Sequence, residues 1–338
     1  MFCFKIMKTT LVLSAITILA RALAGFPVGS SAQTSAPPAV AIEDPDPGKQ
    51  TPPVASTAQP GDFESHGEAD VSKSFSVMPG GKLDLAVDRG SVRVGTSDDP
   101  AVKVRVRREV TNASDAAADR ILKEHKVLMK QSGNTISVST SAPQNLLRGS
   151  LWRGHPGLNV RYEITVPHKF DVQLRTEGGS IRVTDLDGKL DAATEGGSLH
   201  FAGIQGPVTG KTEGGNVSAE ACHGLVDLKT EGGSISVKDF HGPALQAKTE
   251  GGSVTADFAV APQSDCHLST EGGNVTARLP ADAGVMLEAH TEGGSTSSDL
   301  PVTVQGKVHH DTLRGPVNGG GPKLVLKTEG GNIRVLKH

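Results

Sequence analysis

Aromatic residues are scarce in this 338-residue sequence: Phe, Trp and Tyr together make up 3%, with a single Trp and a single Tyr. That scarcity excludes a core anchored on large rings and removes the usual platforms for stacking sugars or bases. Charge of one sign is missing too. The 34 Lys and Arg against 37 Asp and Glu give a net charge of −3, without the overall basic excess a nucleic-acid binder uses to neutralise phosphates. No apolar run is long enough to span a bilayer; the longest candidate, residues 9–20, is short and is followed by Arg21. Cysteines number three, too few for a disulfide framework in a chain of this length. Glycine is abundant, with 41 residues, but it lacks the Gly-X-Y period of collagen.

The first 32 residues read as a signal peptide. Lys5 and Lys8 precede the apolar run, and small residues offer cleavage after Ala24 or after Ala32. Met1 and Met7 are both possible starts. Residues 33–69 are rich in Pro, Ala, Ser and Asp, with Pro37, Pro38, Pro45, Pro47, Pro52, Pro53 and Pro60. Such a segment buries too little apolar surface to offset its ordering entropy, so it reads as a disordered tether.

Beyond the tether a repeat dominates. Thr-Glu-Gly-Gly begins at Thr176, Thr194, Thr212, Thr230, Thr249, Thr270, Thr291 and Thr328. The spacing is 18–21 residues until a final interval of 37, which reads as two periods with one signature lost. Four residues before each Thr stands an apolar column (Val172, Leu190, Val208, Val226, Leu245, Cys266, Leu287, Leu324). Two before it stands a small or apolar one, such as Leu174, Leu228 and Leu326. Five and seven residues after it lie Ile181 and Val183, Leu199 and Phe201, Ile235 and Val237, with their counterparts. This is period-2 alternation on both sides of a glycine bend, the pattern of half-buried strands.

One such unit cannot hide its apolar face alone. Stacked copies can, with equivalent strands paired in parallel at about 4.8 Å per rung. The expected fold is therefore all-β: a parallel β-solenoid, β-helix-like, of about 18–21-residue rungs spanning residues 168–338. The alternative arrangement is an antiparallel meander of hairpins. The crossover rule favours a right-handed coil. Parity turns each Thr inward and each Glu outward. The two glycines are expected to permit positive φ, and the Ser or Asn that follows suits a stacked hydrogen-bond ladder. Arg175, Lys211, Lys229, Lys248 and Lys327, beside the Glu row, offset its self-repulsion.

Residues 70–167 share this grammar without the signature. Residues 82–94 align with 171–183 as a divergent first rung, and 101–110 alternate Val102, Val104 and Val106 with Lys103, Arg105 and Arg107, a strand with one basic face. Asn112, with Asp115 three residues on, is expected to cap a helix over about 113–132 carrying Ile121, Leu122, Leu128 and Met129 and stopping at Gly133. Strands resume at 135–139 and 159–166. A repeat array needs its open end covered, and this helix-bearing region is expected to cap it.

The run Leu158-Asn-Val-Arg-Tyr-Glu-Ile-Thr-Val-Pro167, leading into strands carrying Gly-Gly-Ser-Ile-Arg-Val, resembles the bacterial putative-adhesin domain family. The closing stretch Leu313-Arg-Gly-Pro-Val-Asn-Gly-Gly-Gly321, followed by 324–335, is similar to that family's carboxy end. The likeness covers residues 82–338. It implies a β-solenoid exported to the cell envelope, in the periplasm or at the surface of a bacterium, and it brings no catalytic residues.

Several features were weighed as sites. The ladder of Glu177, Glu195, Glu213, Glu231, Glu250, Glu271, Glu292 and Glu329 has carboxylates for Ca²⁺, but its neighbouring lysines oppose this. His223 and His241 share one second-bend position a rung apart, and stacked imidazoles can take a transition metal. Asp299, His309, His310, Asp311 and Arg314 make the most enzyme-like cluster, in a stretch that reads as a degenerate rung. A Thr array suggests ice binding, but inward hydroxyls form no exposed lattice. Cys222 and Cys266 fall two rungs apart in different core columns, beyond the roughly 7 Å Cα limit for a disulfide, and read as buried free thiols. No residue is assigned as catalytic, cofactor-binding or metal-binding, and no cofactor is expected. The expected function is an exported, non-catalytic envelope structural or binding module. Its partner would be an envelope or surface component, protein or polysaccharide, with no nucleic acid and no membrane span after signal removal. The alternatives are a β-helix enzyme acting on polysaccharide and a divalent-cation-binding repeat protein.

Overall fold

Alternation around each glycine bend folds as two short strands per repeat, one on either side of a common core. In the computed structural model, residues 62–141, 156–305 and 309–338 are described. The signal segment and the tether as far as residue 61 lie outside them. Residues 62–69, assigned to the tether by composition, carry β1 (Phe63–Glu64), which pairs with β6.

The amino-terminal region comprises β2 (Asp70–Ser76), β3 (Gly81–Arg89), β4 (Ser91–Ser97), β5 (Ala101–Thr111), α1 (Asp115–Glu124), β6 (Lys126–Ser132), β7 (Thr135–Ser141) and β8 (Gly157–Pro167). The repeats supply β9 (Phe170–Gly178), β10 (Ile181–Thr184), β11 (Leu190–Thr194), β12 (Leu199–Ala202), β13 (Val208–Thr212), β14 (Val217–Glu220), β15 (Val226–Thr230) and β16 (Ile235–Phe240). They continue with β17 (Leu245–Lys248), β18 (Val254–Phe258), β19 (Cys266–Thr270), β20 (Val275–Leu279), β21 (Val285–Thr291) and β22 (Thr296–Ser298). The chain closes with β23 (Thr312–Val317), β24 (Lys323–Thr328) and β25 (Ile333–Lys337).

Two sheets result. Sheet A has 13 strands in the order β1-β6-β7-β3-β9-β11-β13-β15-β17-β19-β24-β21-β23, and sheet B has 12 in the order β2-β5-β8-β4-β10-β12-β14-β16-β18-β20-β25-β22. Successive repeats pair in parallel and in register, Leu190 with Val208, Thr194 with Thr212, Ile181 with Leu199. The solenoid is thus the fold, and the hairpin meander is not. The aligned divergent rung is present as well: Lys82 pairs with Asp171 and Val94 with Val183. The apolar columns form one continuous core, from Val172, Leu190 and Val208 on one sheet to Ile181, Leu199 and Val217 on the other.

Both ends depart from sequence order. At the amino end, β3 and β4 lie between the cap strands β7 and β8 and the first signature-bearing coil. At the carboxy end, β24 and β25 insert between β19/β20 and β21/β22. The 37-residue interval is therefore not two periods with a lost signature. It contains β23, which runs antiparallel against β21 as the outermost strand of sheet A, and the chain then doubles back to fill an interior layer.

The helix is shorter than expected. It ends at Glu124, and Lys126–Ser132 form β6, which turns through Gly133 and Asn134 into antiparallel β7. Val127 and Met129 alternate into the core, so Met129 belongs to a strand although its spacing from Ile121 and Leu122 suits a helical stripe. The N-cap is Ser114, not Asn112, and its side chain makes no capping bond. Arg108, buried beneath the helix, donates to the carbonyls of Leu122, His125 and Glu68. His125 is fully buried beside it, with both ring nitrogens unpartnered.

The signature glycines also act differently from expectation. Of the second glycines only Gly179 has φ in the left-handed region, at 135°. The others are required by close approach. A Cβ on Gly215 would fall inside contact distance of the Gly197 carbonyl of the adjacent coil, whereas a Cβ on Gly214 would meet nothing nearer than 3.8 Å. Left-handed backbone appears instead in the second bend, at Asp185, Gly203, Ala221 and Asp239.

Two outcomes follow for stability. Gly215→Ala should cost about 2–3 kcal/mol by overpacking against rigid backbone, while Gly214→Ala should stay within about 0.5 kcal/mol, as read from urea melts of each variant. Burial, with help from the Arg108 charge, pushes His125 from its ordinary 6.5 down to about 4. The folded state then binds fewer protons than the unfolded one. Stability should be full above pH 6.5, fall by about 3 kcal/mol as pH drops toward 4, and flatten below that; His125→Leu should remove that slope.

Candidate functional site

Each Thr-Glu-Gly-Gly bend turns the chain from sheet A to sheet B, and stacking aligns the eight bends into one edge. The Thr hydroxyls point inward and fix the alignment. Thr194, Thr212, Thr230, Thr249 and Thr270 each donate to the second-glycine carbonyl of the preceding coil at 2.6–3.0 Å. Each also accepts from its own second-glycine N–H at 3.2–3.4 Å. Thr328 donates to Gly273 and Thr291 to Gly331, both at 2.7 Å, so the ladder follows the stack and not the sequence. The expected Ser and Asn ladder runs beside it: Asn216 N–H donates to Ser198 Oγ at 3.2 Å and Ser234 N–H to Asn216 Oδ1 at 2.8 Å.

With Thr inward, the residues on either side face solvent. Glu177, Glu195, Glu213, Glu231 and Glu250 form one row, and Arg175, Ala193, Lys211, Lys229 and Lys248 form another. Together they line a groove of about 720 Å³ along the coil edge. Neighbouring carboxylates about 4.8 Å apart repel by roughly 0.9 kcal/mol per pair in water. The basic row does not cancel this by direct pairing. Arg175 instead forms a fork with Asp191 at 2.9 and 3.1 Å, and Lys229 reaches Asp227 at 3.3 Å. No described partner lies within ion-pair distance of the Glu carboxylates. The groove therefore presents an anionic and a cationic rail side by side, each with a charge at nearly every coil.

Among the described residues, no group of three or more His, Cys, Asp or Glu is arranged to hold a metal ion. His223 and His241 do stack, with centroids 4.7 Å apart and planes 10° from parallel, and His241 Nε2 lies 2.9 Å from Asp239 Oδ1. The described part of the 299–323 stretch closes the edge of sheet A with β23, antiparallel to β21, and is not a rung. The His310 and Asp311 carbonyls accept from Thr296 and Thr291 N–H at 2.8 and 2.9 Å, and Arg314 pairs with Glu288. Cys222 and Cys266 are free and fully buried, and burial raises both thiols to about 11. Sequence reasoning missed one concentration of charged side chains, a largely basic hollow on sheet B. Its signal was the charged face of 101–110, which gains its neighbours only when β4, β8 and β10 assemble beside β5.

A sequence profile described as Toastrack DUF4097 matches residues 82–336. A crystal structure described as that of a putative adhesin from Bacteroides fragilis is 12% identical, with a TM-score of 0.43 over 79% of this chain and 96% of that one. Another, described as a putative cell adhesion protein from Clostridium sporogenes, is 13% identical, with a TM-score of 0.28 over 80% of this chain and 100% of that one. No curated protein matches the sequence.

Both thiols should resist modification by a maleimide reagent in the native protein and react within minutes once urea unfolds it, as followed by intact mass. Rapid native labelling would contradict their burial and raised pKa values.

Proposed function

The chain belongs to the Toastrack DUF4097 family, and from that footing we propose that it is an exported, non-catalytic β-solenoid acting as an adhesin-type binding module of the bacterial envelope. Export is supported by the sequence ahead of the described residues: Lys5 and Lys8, a short apolar run, and small residues at two cleavage positions. The tether after it supplies reach from an attachment point. No helix among the described residues is long and apolar enough to cross a membrane.

The observation that carries the binding role is the double rail of the bend groove. A carboxylate at every coil and a cation at four of the five coils of the groove let a partner with a matching repeat engage many weak contacts at once, so avidity takes the place of a deep pocket. A rigid, register-locked stack holds those charges at fixed spacing and reduces the ordering cost of association.

The test is a binding assay of labelled full-length mature protein on envelope fragments of the source bacterium, beside fractionation of the same cells. Binding should fall about tenfold or more in Lys211→Ala/Lys229→Ala/Lys248→Ala, for the loss of about 1.4 kcal/mol or more, with the melting temperature unchanged. Equal binding by the triple variant, a cytoplasmic location, or release of oligosaccharide from pectin-like polymers would each overturn the reading.

A further inference from the structure

Sheet B carries a second track of side chains on its outer face, unrelated to the bend groove. Strand register sets Ser72, Arg105, Glu163, Arg93, Arg182 and His200 in one line across β2, β5, β8, β4, β10 and β12. The same line continues through Ser218, Ser236, Thr255 and Thr276 to Arg334. One end is thus cationic, and the middle is an unbroken run of hydroxyls, one per strand step of about 4.8 Å.

The cationic end is concave. Gly95 stands beside Thr165, and its missing side chain opens a hollow of about 650 Å³ walled by Arg93, Arg182, Lys103 and Arg105, with one carboxylate, Glu163, which lies within 4.0 Å of Arg107. A Cβ on Gly95 would meet only the Thr184 hydroxyl, at 3.9 Å. Two of the walls are already engaged: Arg105 with Asp70, and Lys103 with Asp99. Arg93 and Arg182 are not. They are exposed and paired in register one strand apart, and no carboxylate of the described residues lies within ion-pair distance of either, Glu163 included. Two like charges held this close repel until an anion lies between them. Guanidinium forks match the oxygens of a carboxylate or similar oxyanion.

We propose that this face of sheet B binds a linear acidic polysaccharide, with a carboxylate-type group seated in the hollow between Arg93 and Arg182 and the sugar hydroxyls laid along Ser218, Ser236, Thr255 and Thr276. The hydroxyl run decides the class. Each Ser or Thr offers one donor and two acceptors, the complement of a hydroxyl-rich chain. A bare polyphosphate can accept from those hydroxyls but has no donor for their lone pairs, whereas sugar hydroxyls both donate and accept. A single-stranded nucleic acid would need a succession of stacking rings, and His200 is the one ring along this line. The row alongside is mixed in sign, with Glu220 in register with Lys238, so the cationic preference is confined to the hollow.

The experiment titrates the full-length mature protein with oligogalacturonate of defined length, with a neutral glucan oligomer of equal length and with inorganic polyphosphate, by calorimetry. Oligogalacturonate should bind and the neutral glucan should not. Arg93→Ala/Arg182→Ala should weaken oligogalacturonate about tenfold or more with an unchanged thermal melt. Ser236→Ala/Thr255→Val should weaken it several-fold and weaken polyphosphate binding less, since polyphosphate uses only the hydroxyl donors. The bend-groove variant Lys211→Ala/Lys229→Ala/Lys248→Ala should bind it as the parent does, which separates this site from the groove. Absence of oligogalacturonate binding, or unchanged affinity in the arginine variant, would overturn the proposal. So would an unchanged affinity in the hydroxyl variant together with equal binding of polyphosphate, which would mean a plain polyanion patch.

Discussion

The bend threonine, bonded across to the glycine of its neighbour, is the interaction on which this protein depends. Alternation alone excludes a one-residue slip, which would exchange buried and exposed sides, but a two-residue slip keeps every side chain on its face. Here the Thr hydroxyl reaches one particular carbonyl and accepts from one particular N–H. The second glycine allows the two backbones to approach closely enough for that bond. Removing either partner leaves a buried polar group unsatisfied, at a cost of about 1–3 kcal/mol. Register fixed at the bend then fixes everything outward of it: the two charged rails on one edge and the arginine and hydroxyl line on sheet B.

Interchangeable coils have a further effect. Coils offer their neighbours the same glycine carbonyl, a Ser or an Asn and, except at Thr296 and Ser298, matching apolar columns, so stacking need not follow sequence order. The chain uses this freedom at the carboxy end, where Thr328 bonds to Gly273 although Thr291 precedes it in sequence. At the amino end the cap works by similar means. Strands β7 and β8 continue the two sheets in parallel, and only beyond them do antiparallel β6 and β5, followed by β1 and β2, close the stack.

How much of this the sequence discloses depends on whether the information is local. The columns around each Thr, the inward Thr, the Ser and Asn ladder and the pairing of 82–94 with 171–183 are all readable, because a repeat prints the same contact many times. The end of the helix is not readable from spacing, because Leu128 and Met129 sit at helical spacing from Ile121 and Leu122. The alternation of Val127 and Met129 and the Gly133-Asn134 turn were the competing signal. The order of the last coils is not readable, since identical interfaces do not say which neighbour is chosen. The same holds for the charges. Lys and Glu fall side by side in sequence, but Arg175 and Lys229 settle on Asp191 and Asp227. The hollow at Gly95 needs four strands from separate parts of the chain before it exists at all.

The doubled-back carboxy end makes completeness of the polypeptide a structural quantity. In an ordinary stack, losing the last strands shortens the tip and leaves what remains intact. Here β24 and β25 are a keystone course: a chain cut short before residue 323 would be missing a middle layer, and β21 and β22 would lose the surface they rest on. Premature termination or trimming by a protease would therefore register as a breach inside the array, and full-length synthesis is a condition for its closure.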